Sequence, residues 1–448
     1  MNKFKSILSA IGNWFKKVGI AIGRWCKSLF VSVDGEQPKF KTLYEQERTK
    51  SILSSLISIA GGMVIGLVIM IIAGIATNHA GDIWKGFLVL ISGPFFTGSS
   101  FEISFGFNSA SIGSMLFRTT PILLTGLSVA LAFKTGLFNI GAPGQFLMGT
   151  MGSLLVAHSI PTTDGGAFWV WLLALLVGIV LGAIWGAIPG LFKALLNINE
   201  VIVCIMTNWI AASVVTWVFD ANGHLKNVSE GKTGYIIPTR VNGVSNPRLG
   251  MDLLFKGSWA DGGIIIAIVI AIVVYIVLNK TVFGYELRAT GSNRNAARYA
   301  GMKDKRNIIL SMAIAGGLAA CGACLYYLNG NTEFFWETST SLPDEGFNGI
   351  PVALLASNNP IGVIFSAAFM SYLVISGSNL AGVTSYNEYI ASLIVAVIIY
   401  FAGFSKLIRE LLNNSKVKKV TTPTIPQEET SETQPTNVAE EVNLTKEA

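Results

Sequence analysis

Long stretches of this chain are apolar and carry no side chain that is charged at neutral pH. Residues 51–81 contain no Asp, Glu, Lys or Arg, and the same holds for residues 307–332. About 20 helical residues span the roughly 30 Å hydrocarbon core of a bilayer, so both stretches are long enough to cross it. Neither shows the two-residue alternation of a half-buried strand. The pattern predicts membrane-spanning helices, because lipid leaves only helices and closed barrels to pair the backbone.

The same pattern along the whole chain predicts an all-α polytopic membrane protein with about ten crossings and short broken helices. Residues 347–356 are too few to cross alone, but an even number of crossings is needed between the basic segment described next and the C terminus. We therefore expect this short piece to cross, or nearly cross, together with its neighbours. The predicted segments are residues 52–76, 112–133, 145–160, 168–189, 201–219, 263–278, 308–328, 347–356, 361–375 and 389–404.

The distribution of charge predicts the orientation of these segments. Only 13% of the 448 residues are charged, about half the share of a soluble domain. Residues 280–306 hold seven bases and two acids, whereas residues 333–345 hold four acids and no base. Because cytoplasmic loops are enriched in Lys and Arg, residues 280–306 and both termini are predicted to be cytoplasmic, and residues 220–261 external. The bases lie beside membrane segments, so they indicate topology and not nucleic-acid binding.

The two ends of the chain differ from its middle. Residues 1–30 contain six Lys or Arg and no acid, with apolar residues at helical spacing. We predict that residues 1–50 form a cytoplasmic region with a basic amphipathic helix on the membrane surface. Residues 51–405 form the predicted transmembrane domain. Residues 406–448 are predicted to be a cytoplasmic, mostly disordered tail, because its end is rich in Thr, Pro, Glu and Gln.

Gly and Pro interrupt the apolar pattern in two comparable places. Residues 139–144 read N-I-G-A-P-G, and residues 347–352 read F-N-G-I-P-V. Paired interruptions of this kind predict broken helices beside a transport path. The alternative is that both are loops that turn the chain. The candidate path residues are Asn139, Gly141, Gly144, Gln145, Glu200, Asn208, Phe347 and Asn348.

One predicted helix carries polar residues on a single face. Glu200, Cys204 and Asn208 are spaced by four, so they stack on one side of the segment that begins near residue 201. An ionisable group this close to hydrocarbon is costly unless it is paired or hydrated. These residues therefore line or gate a path, or they make structural hydrogen bonds to a neighbouring helix.

The stretch A-T-G-S-N-R-N-A-A-R-Y-A-G-M, residues 289–302, predicts a compact polar helix between two apolar segments. Thr290 or Ser292 is expected to cap its start, and Gly301 to end it in the left-handed conformation. A helix of two turns is not stable alone, so we expect it to dock on a partner. An ordinary basic loop is the alternative. The candidate docking residues are Arg294, Ala296, Ala297, Arg298, Tyr299, Ala300 and Gly301, with the three alanines and Tyr299 expected on one face and the two arginines opposite.

The stretch G-S-N-R-N-A-A-R-Y-A-G-M, residues 291–302, resembles the cytoplasmic coupling loop of bacterial ABC importer permeases of the branched-chain amino acid, ribose and nucleoside group. Three more stretches resemble this family in the same order, at residues 132–149, 197–211 and 346–363. The last of them is similar to the form typical of the nucleoside-uptake branch. The resemblance extends over the chain from about residue 50 to 405. It implies that the coupling residues are Gly291, Asn293, Ala296, Ala297, Tyr299, Ala300 and Gly301.

The resemblance implies a permease subunit that forms the translocation path of an ABC importer for nucleosides, with ribose or another small polar solute as the alternative. It also implies several partners in the bacterial plasma membrane. An ABC ATPase subunit would hydrolyse the ATP, and a second homologous permease would complete a heterodimer. An extracytoplasmic lipid-anchored protein would deliver the solute. Neither a metal nor a cofactor is expected.

An ion-coupled transporter and an enzyme are the two other classes of function considered. An ion-coupled secondary transporter would place acids or histidines in the middle of the membrane, and Glu200 is the one candidate in the predicted spans. An enzyme is not expected, because paired catalytic residues on facing spans are missing from the sequence. The fragment Gly231-Lys232-Thr233 resembles a phosphate-binding loop, but Lys226 stands where the first glycine of that loop is needed.

Overall fold

The computed structural model of the protein describes residues 47–76, 79, 81–99, 102, 104–162, 166–222, 235–236, 243–336, 342–404, 407–408 and 410. The predicted N-terminal amphipathic helix lies outside this range, as does nearly all of the predicted C-terminal tail. Within the described residues, seven helices are long and apolar enough to cross a membrane. The chain is therefore a multi-pass, all-α membrane protein, as the hydrophobic pattern predicts.

The described part of the chain contains fourteen α-helices, a short 3-10 helix at Gly93–Phe95 and one pair of two-residue antiparallel strands. The strands are β1 (Tyr235–Ile236) and β2 (Phe334–Phe335). The helices are α1 (Glu47–Ala76), α2 (Asp82–Ser92), α3 (Ser109–Lys134), α4 (Ala142–Ser159), α5 (Ala167–Leu196), α6 (Glu200–Ala221), α7 (Met251–Leu254), α8 (Gly263–Lys280), α9 (Val282–Ser292), α10 (Arg294–Tyr299), α11 (Asp304–Tyr327), α12 (Asp344–Leu355), α13 (Pro360–Val383) and α14 (Glu388–Ala402).

Each of the ten predicted segments corresponds to one helix in the described range, namely α1, α3 to α6, α8 and α11 to α14. Helix α2 was not among the predicted segments, because its eleven residues are too few to cross a membrane and its first turn carries Asp82 and Lys85. These two side chains join α2 to the end of α13. Asp82 accepts a hydrogen bond from the Ser385 backbone N–H, and Lys85 donates to the Val383 carbonyl. Gly86, Val89 and Leu90 also pack inward, so the helix is held both by its apolar side and by these two tertiary contacts.

Helices α3 and α11 lie at the centre of the bundle, because most of their residues are buried. Helix α5 packs closely on α11 through glycines. A Cβ on Gly316 would lie 2.3 Å from the Gly182 carbonyl, and one on Gly186 would lie 2.5 Å from the Met312 carbonyl. Small residues let membrane helices approach until their backbones touch. We call the end of the bundle where α3 and α5 end and α11 begins the basic end, because it carries Lys134, Lys193 and the basic segment 280–306.

Two shorter helices start in the middle of the bundle. After α3 ends at the basic end, residues 135–141 run back toward the bundle centre, and α4 starts there with Pro143 in its first turn. Helix α12 begins beside the same point, since a Cβ on Gly346 would lie 2.5 Å from the Pro143 Cα. Its twelve residues rise only about 18 Å. Helix α4 runs away from the basic end, whereas α12 runs toward it alongside α3, so two helix N-termini meet at mid-bundle.

The second Gly/Pro-containing segment, residues 347–352, was predicted to break a helix, and this prediction is wrong. Residues 347–352 do not break a helix, because they lie inside the continuous helix α12 with Pro351 in its interior. Proline has no N–H to donate to the carbonyl four residues earlier, which is that of Phe347. The breaks lie at the two ends of α12. At its C-terminal end Ser357 and Asn358 have positive φ, and Asn359 then caps α13.

A buried polar cluster joins several elements at the end opposite the basic end. The Asp261 carboxylate, which precedes α8, accepts hydrogen bonds from Asn246 Nδ2 at 2.8 Å, Asn329 Nδ2 at 2.5 Å and the Gly263 N–H at 2.8 Å. Trp171 Nε1 in α5 donates to Asn246 Oδ1 at 2.8 Å. Burial raises the pKa of the Asp261 carboxyl, and the hydrogen bonds act against that rise. The cluster ties the start of α5, the start of α8 and the end of α11 together.

The Asp261→Asn substitution is expected to destabilise this end of the protein. An amide has one acceptor oxygen, so its NH₂ group would face at least one of the three donors. An unpaired buried donor costs about 1–3 kcal/mol. Thermal unfolding of the purified protein in detergent would measure the loss, with the exposed Asp252→Asn as the matched control. Equal midpoints for the two variants would show that the cluster does not stabilise the fold.

Candidate functional site

The loop before α4 is fixed by a reciprocal pair of buried amides. Asn139 Nδ2 donates to Gln145 Oε1 at 2.7 Å, and Gln145 Nε2 donates to Asn139 Oδ1 at 3.0 Å. Asn139 also donates to Ser128 Oγ in α3 at 2.9 Å and accepts from the Gly141 N–H at 3.2 Å. Both amide side chains are fully buried. The loop is therefore bound to α3 on one side and to the first turn of α4 on the other.

Asn208 of α6 completes this network. Its Oδ1 accepts a hydrogen bond from the Gly144 N–H at 2.9 Å, and its Nδ2 donates to the Ile140 carbonyl at 3.0 Å. The first N–H groups of a helix lack partners within it, and here a side chain from another helix supplies one. Asn208 was predicted either to line a path or to make a structural hydrogen bond. In this structure it makes structural hydrogen bonds, to the loop before α4 and to the first turn of α4.

Glu200 lies farther toward the basic end than these amides. Glu200, Cys204 and Asn208 are all buried on one face of α6, as their spacing predicts. Glu200 Oε2 lies 2.9 Å from Lys193 Nζ at the end of α5. The acid is thus paired at the start of its helix, which lowers the cost of holding its charge near hydrocarbon.

The structure brings five of the eight candidate path residues into contact in one network. These are Asn139, Gly141, Gly144, Gln145 and Asn208. Phe347 and Asn348 lie on the neighbouring helix α12 and are partly exposed, while Glu200 lies about two turns from Asn208 along α6. In this conformation the amide groups bind one another and brace the point where α4 begins.

Glu345 lies at this site, although the sequence pattern did not indicate it as a candidate path residue. It was grouped with the acidic segment 333–345, but it lies in the first turn of α12, where the two helix N-termini meet. Its carboxyl group hydrogen-bonds to Tyr326 and lies within electrostatic range of Arg118. The Tyr326 ring stacks on Phe117 with 5.1 Å between ring centroids. An acid just before the motif F-N-G-I-P-V was the available signal, because helix N-termini favour negative charge.

At the basic end, the segment 289–302 forms parts of two helices and not one. Asn293 separates α9 from α10, and its Oδ1 caps α10 by accepting from the Ala296 N–H at 3.0 Å. The prediction that Thr290 or Ser292 caps this helix is therefore wrong. Thr290 lies inside α9 and its hydroxyl donates to the Glu286 carbonyl at 2.8 Å, so it is not free to act as a cap.

The prediction for Gly301 is confirmed. Its φ is +80°, in the left-handed region. The Gly301 N–H donates to the Arg298 carbonyl and the Met302 N–H to the Ala297 carbonyl, both at 3.0 Å. These are the two hydrogen bonds of the Schellman motif that ends many helices.

The predicted faces of this helix need two corrections. Ala297 is only 4% exposed, so it packs inward and does not share an outer face with Ala296 and Ala300. Arg294 Nε forms a 2.8 Å ion pair with Asp304 at the start of α11, which fastens α10 to the bundle. The exposed residues here are Asn295, Ala296, Arg298 and Tyr299 of α10 and Ala300, which follows it.

Exposed apolar side chains continue this surface onto α9. The Tyr299 side chain is 94% exposed, and on α9 Val282 and Tyr285 are 77% and 58% exposed. Exposed apolar side chains grouped among charges are typical of protein interaction sites. We call the outer sides of α9 and α10 the docking surface.

The comparison with known proteins identifies the kind of chain that carries these features. Residues 111–403 match the family described as branched-chain amino acid transport system, permease component. The chain belongs to this family of permeases. The matched region runs from the start of α3 into the end of α14, so it includes the amide network, both mid-bundle helix starts and the docking surface.

The permease is also similar to individual proteins over most of its length. It is 32% identical over 372 residues to the guanosine ABC transporter permease protein NupP of Bacillus subtilis, which covers 83% of this chain and 99% of that protein. It is 35% identical over 381 residues to the nucleoside ABC transporter permease protein NupB of Lactococcus lactis, covering 84% and 97%. A second L. lactis protein, nucleoside ABC transporter permease protein NupC, is 26% identical over 277 residues, covering 59% and 82%. No solved structure matches the permease.

Proposed function

We propose that this permease forms the translocation path of an ABC importer for nucleosides, and that a separate subunit hydrolyses the ATP. The proposal rests on the similarity of this permease to proteins named for guanosine and nucleoside transport. That similarity covers more than four fifths of this chain and nearly all of each relative. A nucleoside is an uncharged solute with a flat base and several hydroxyl groups. The amides of Asn139 and Gln145 with the nearby Glu345 and Tyr326 offer partners for hydroxyls and for a ring. Ribose or another small polar solute is the alternative within the family.

The docking surface supports coupling to an ATPase. Its apolar side chains lie at the basic end, within segment 280–306, and not on the sides of the bundle. Because positive charge marks the cytoplasmic side, this end and both termini are assigned to the cytoplasm. There an ATPase subunit would receive α10 and shield Tyr299 from water.

Two further partners are proposed. The permease resembles two proteins of the same L. lactis strain, both named as nucleoside ABC transporter permeases. This favours a heterodimer of this chain with a second, homologous permease. A lipid-anchored binding protein would deliver the solute at the end opposite the basic end. The complex belongs in the bacterial plasma membrane.

Uptake by a deletion strain tests the substrate. Cells that lack this gene are expected to lose uptake of radiolabelled nucleosides and to regain it when the gene is restored. A panel of purine and pyrimidine nucleosides with ribose would separate the two solute classes. Loss of ribose uptake alone, with nucleoside uptake intact, would contradict the proposal.

Crosslinking tests the docking surface. In the assembled complex, a cysteine at the exposed Ala296 is expected to crosslink to the ATPase subunit with high yield. A cysteine at Ala297 is the matched control, because this neighbour is buried and is expected to crosslink at least about tenfold less efficiently. Absence of a crosslink from both Ala296→Cys and Ala300→Cys, in a complex that transports, would remove α10 from the ATPase interface.

One observation favours the second class, an ion-coupled transporter. Glu345 is a carboxyl group at mid-bundle next to Tyr326, and acids in that position serve as ion-binding groups in many carriers. The two classes separate when the proton and sodium gradients are collapsed while ATP is held constant. We expect uptake to continue under these conditions, and its loss would favour the ion-coupled class.

A further inference from the structure

We infer that the contact between Gly291 and Gly136 carries the movement of the docking surface to the helix start at mid-bundle. Gly291 and Gly136 are therefore positioning residues for transport, although neither touches the ATPase or the solute. The inference rests on the proposed function, because it requires an ATPase that moves α9 and α10.

The contact joins two backbones with no side chain between them. A Cβ on Gly136 would lie 2.9 Å from the Gly291 carbonyl oxygen and 3.0 Å from the Gly291 Cα. In the other direction, a Cβ on Gly291 would lie 2.6 Å from the Lys134 carbonyl oxygen and 2.7 Å from the Gly136 nitrogen. Gly136 also has a φ of +72°, which places it in the left-handed region. A larger residue at either position would push the two segments apart.

On one side of this contact, the docking surface is a braced unit. Arg306 Nη2 forms a 2.9 Å ion pair with Glu286 of α9, and the Asn307 amide donates to the same carboxylate at 3.3 Å. The Arg294–Asp304 pair holds α10 to the start of α11. These pairs hold α9, α10 and the start of α11 together as one unit, so a displacement of α10 is shared by Gly291 near the end of α9.

On the other side, the loop is tied to the start of α4. Only two residues separate Gly136 from Asn139, whose amide binds Gln145 in both directions. The loop's Ile140 carbonyl accepts from Asn208, which also receives the Gly144 N–H. Thr135 Oγ1 lies 2.5 Å from Ser311 Oγ of α11. The loop is thus held at each end, so a displacement at Gly136 would shift the first turn of α4. Movement relative to α3 would also have to break or lengthen the hydrogen bond from Asn139 to Ser128.

Backbone contact makes this transmission direct. Side chains that touch across a joint can change rotamer and absorb a small displacement, whereas two glycines have no rotamer to change. Packed interiors respond to such displacements by moving between discrete arrangements. Helix α4 is the element that would move, because its start packs against the first turn of α12, the helix that carries Glu345.

The Gly291→Ala substitution tests the inference in reconstituted vesicles that contain the complete transporter. Gly291 lies within α9, where alanine is locally favourable, so the change acts through the clash with residues 134–136. We expect the number of solute molecules imported per ATP hydrolysed to fall about tenfold, within the usual range of coupling between sites. Crosslinking of Ala296→Cys to the ATPase is expected to persist in the same variant. The Gly136→Ala variant should give the same result from the other side of the contact.

Gly382→Ala is the matched control, because nothing lies within 4 Å of a Cβ at this helical glycine. It is expected to keep the wild-type ratio. The ratio of solute to ATP is measured per working complex, so it does not depend on how much protein folds. Wild-type ratios in both Gly291→Ala and Gly136→Ala, or a loss of uptake and ATP hydrolysis in equal proportion, would overturn the inference. If wild-type vesicles neither bind the ATPase nor import the solute, the proposed function fails instead.

Discussion

Replacing Gly301 with valine is expected to reduce uptake about tenfold or more while the permease still inserts in the membrane. Gly301 ends α10 at φ +80°, and a β-branched residue is strongly disfavoured there. The left-handed conformation costs an ordinary residue about 1–2 kcal/mol, and more is expected for valine. Because α10 has only six residues, loss of the Schellman motif would unravel it and displace Tyr299 from the docking surface. Uptake in cells and the amount of protein in the membrane fraction are the two measurements.

The control for this variant is Gly301→Asn, because asparagine adopts the left-handed conformation more readily than other residues. It is expected to keep most of the uptake. Space is not the limiting factor at this position, since nothing lies within 4 Å of a Cβ on Gly301. Equal uptake by the valine and asparagine variants would show that the end of α10 is not needed for coupling.

Replacing Asn139 with leucine is expected to destabilise the protein by about 2–5 kcal/mol and to stop uptake. The change leaves the buried Gln145 amide without its reciprocal partner and removes a donor from the Ser128 hydroxyl. Each buried polar group left unpaired costs about 1–3 kcal/mol. Thermal unfolding in detergent measures the stability, and uptake of a nucleoside in vesicles measures the activity.

The double variant Asn139→Leu, Gln145→Leu separates the structural role of the amides from a role in the path. Removing both partners leaves fewer unpaired groups, so most of the lost stability is expected to return. Uptake is expected to stay below about a tenth of wild type, because the amides that would bind the solute are gone. Recovery of uptake together with stability would show that Asn139 and Gln145 only hold the loop.

The hydrogen bonds of this network allow both a structural role and a role in the path. Asn139 and Gln145 are buried and bind each other, and the buried Asn208 binds the backbone of Ile140 and Gly144, so these amides do not line an open channel in this conformation. A solute that replaces these hydrogen bonds would need the start of α4 to move. The Gly136–Gly291 contact is one means of moving it, and Glu345 lies in the first turn of α12, which packs on the start of α4.

Several features were predictable because they depend on residues close together in the chain. Apolar runs of sufficient length predict the spans, since lipid demands complete pairing of the backbone within a helix. The spacing of Glu200, Cys204 and Asn208 predicts one buried face of α6. The left-handed Gly301 was predictable because a glycine after a short helix commonly ends it.

Other features depended on contacts between distant segments. The sequence offers Thr290, Ser292 and Asn293 as possible caps, and only the course of α9 decides that Asn293 fills the role. Ala297 and Ala296 are identical in type, but the packing of α10 on the bundle buries one and exposes the other. Glu345 looked like part of an external acidic segment until α12 placed it against Tyr326.

Local sequence patterns were sufficient to predict an all-helical membrane protein, the positions of its spans and the compact polar segment at the basic end. Each of these follows from local periodicity, charge and chain stiffness. The side-by-side helix starts at mid-bundle and the contact between Gly291 and Gly136 became visible only in the packed fold. Those residues are 155 positions apart, and a contact of that kind arises from packing of whole helices, which no local pattern encodes.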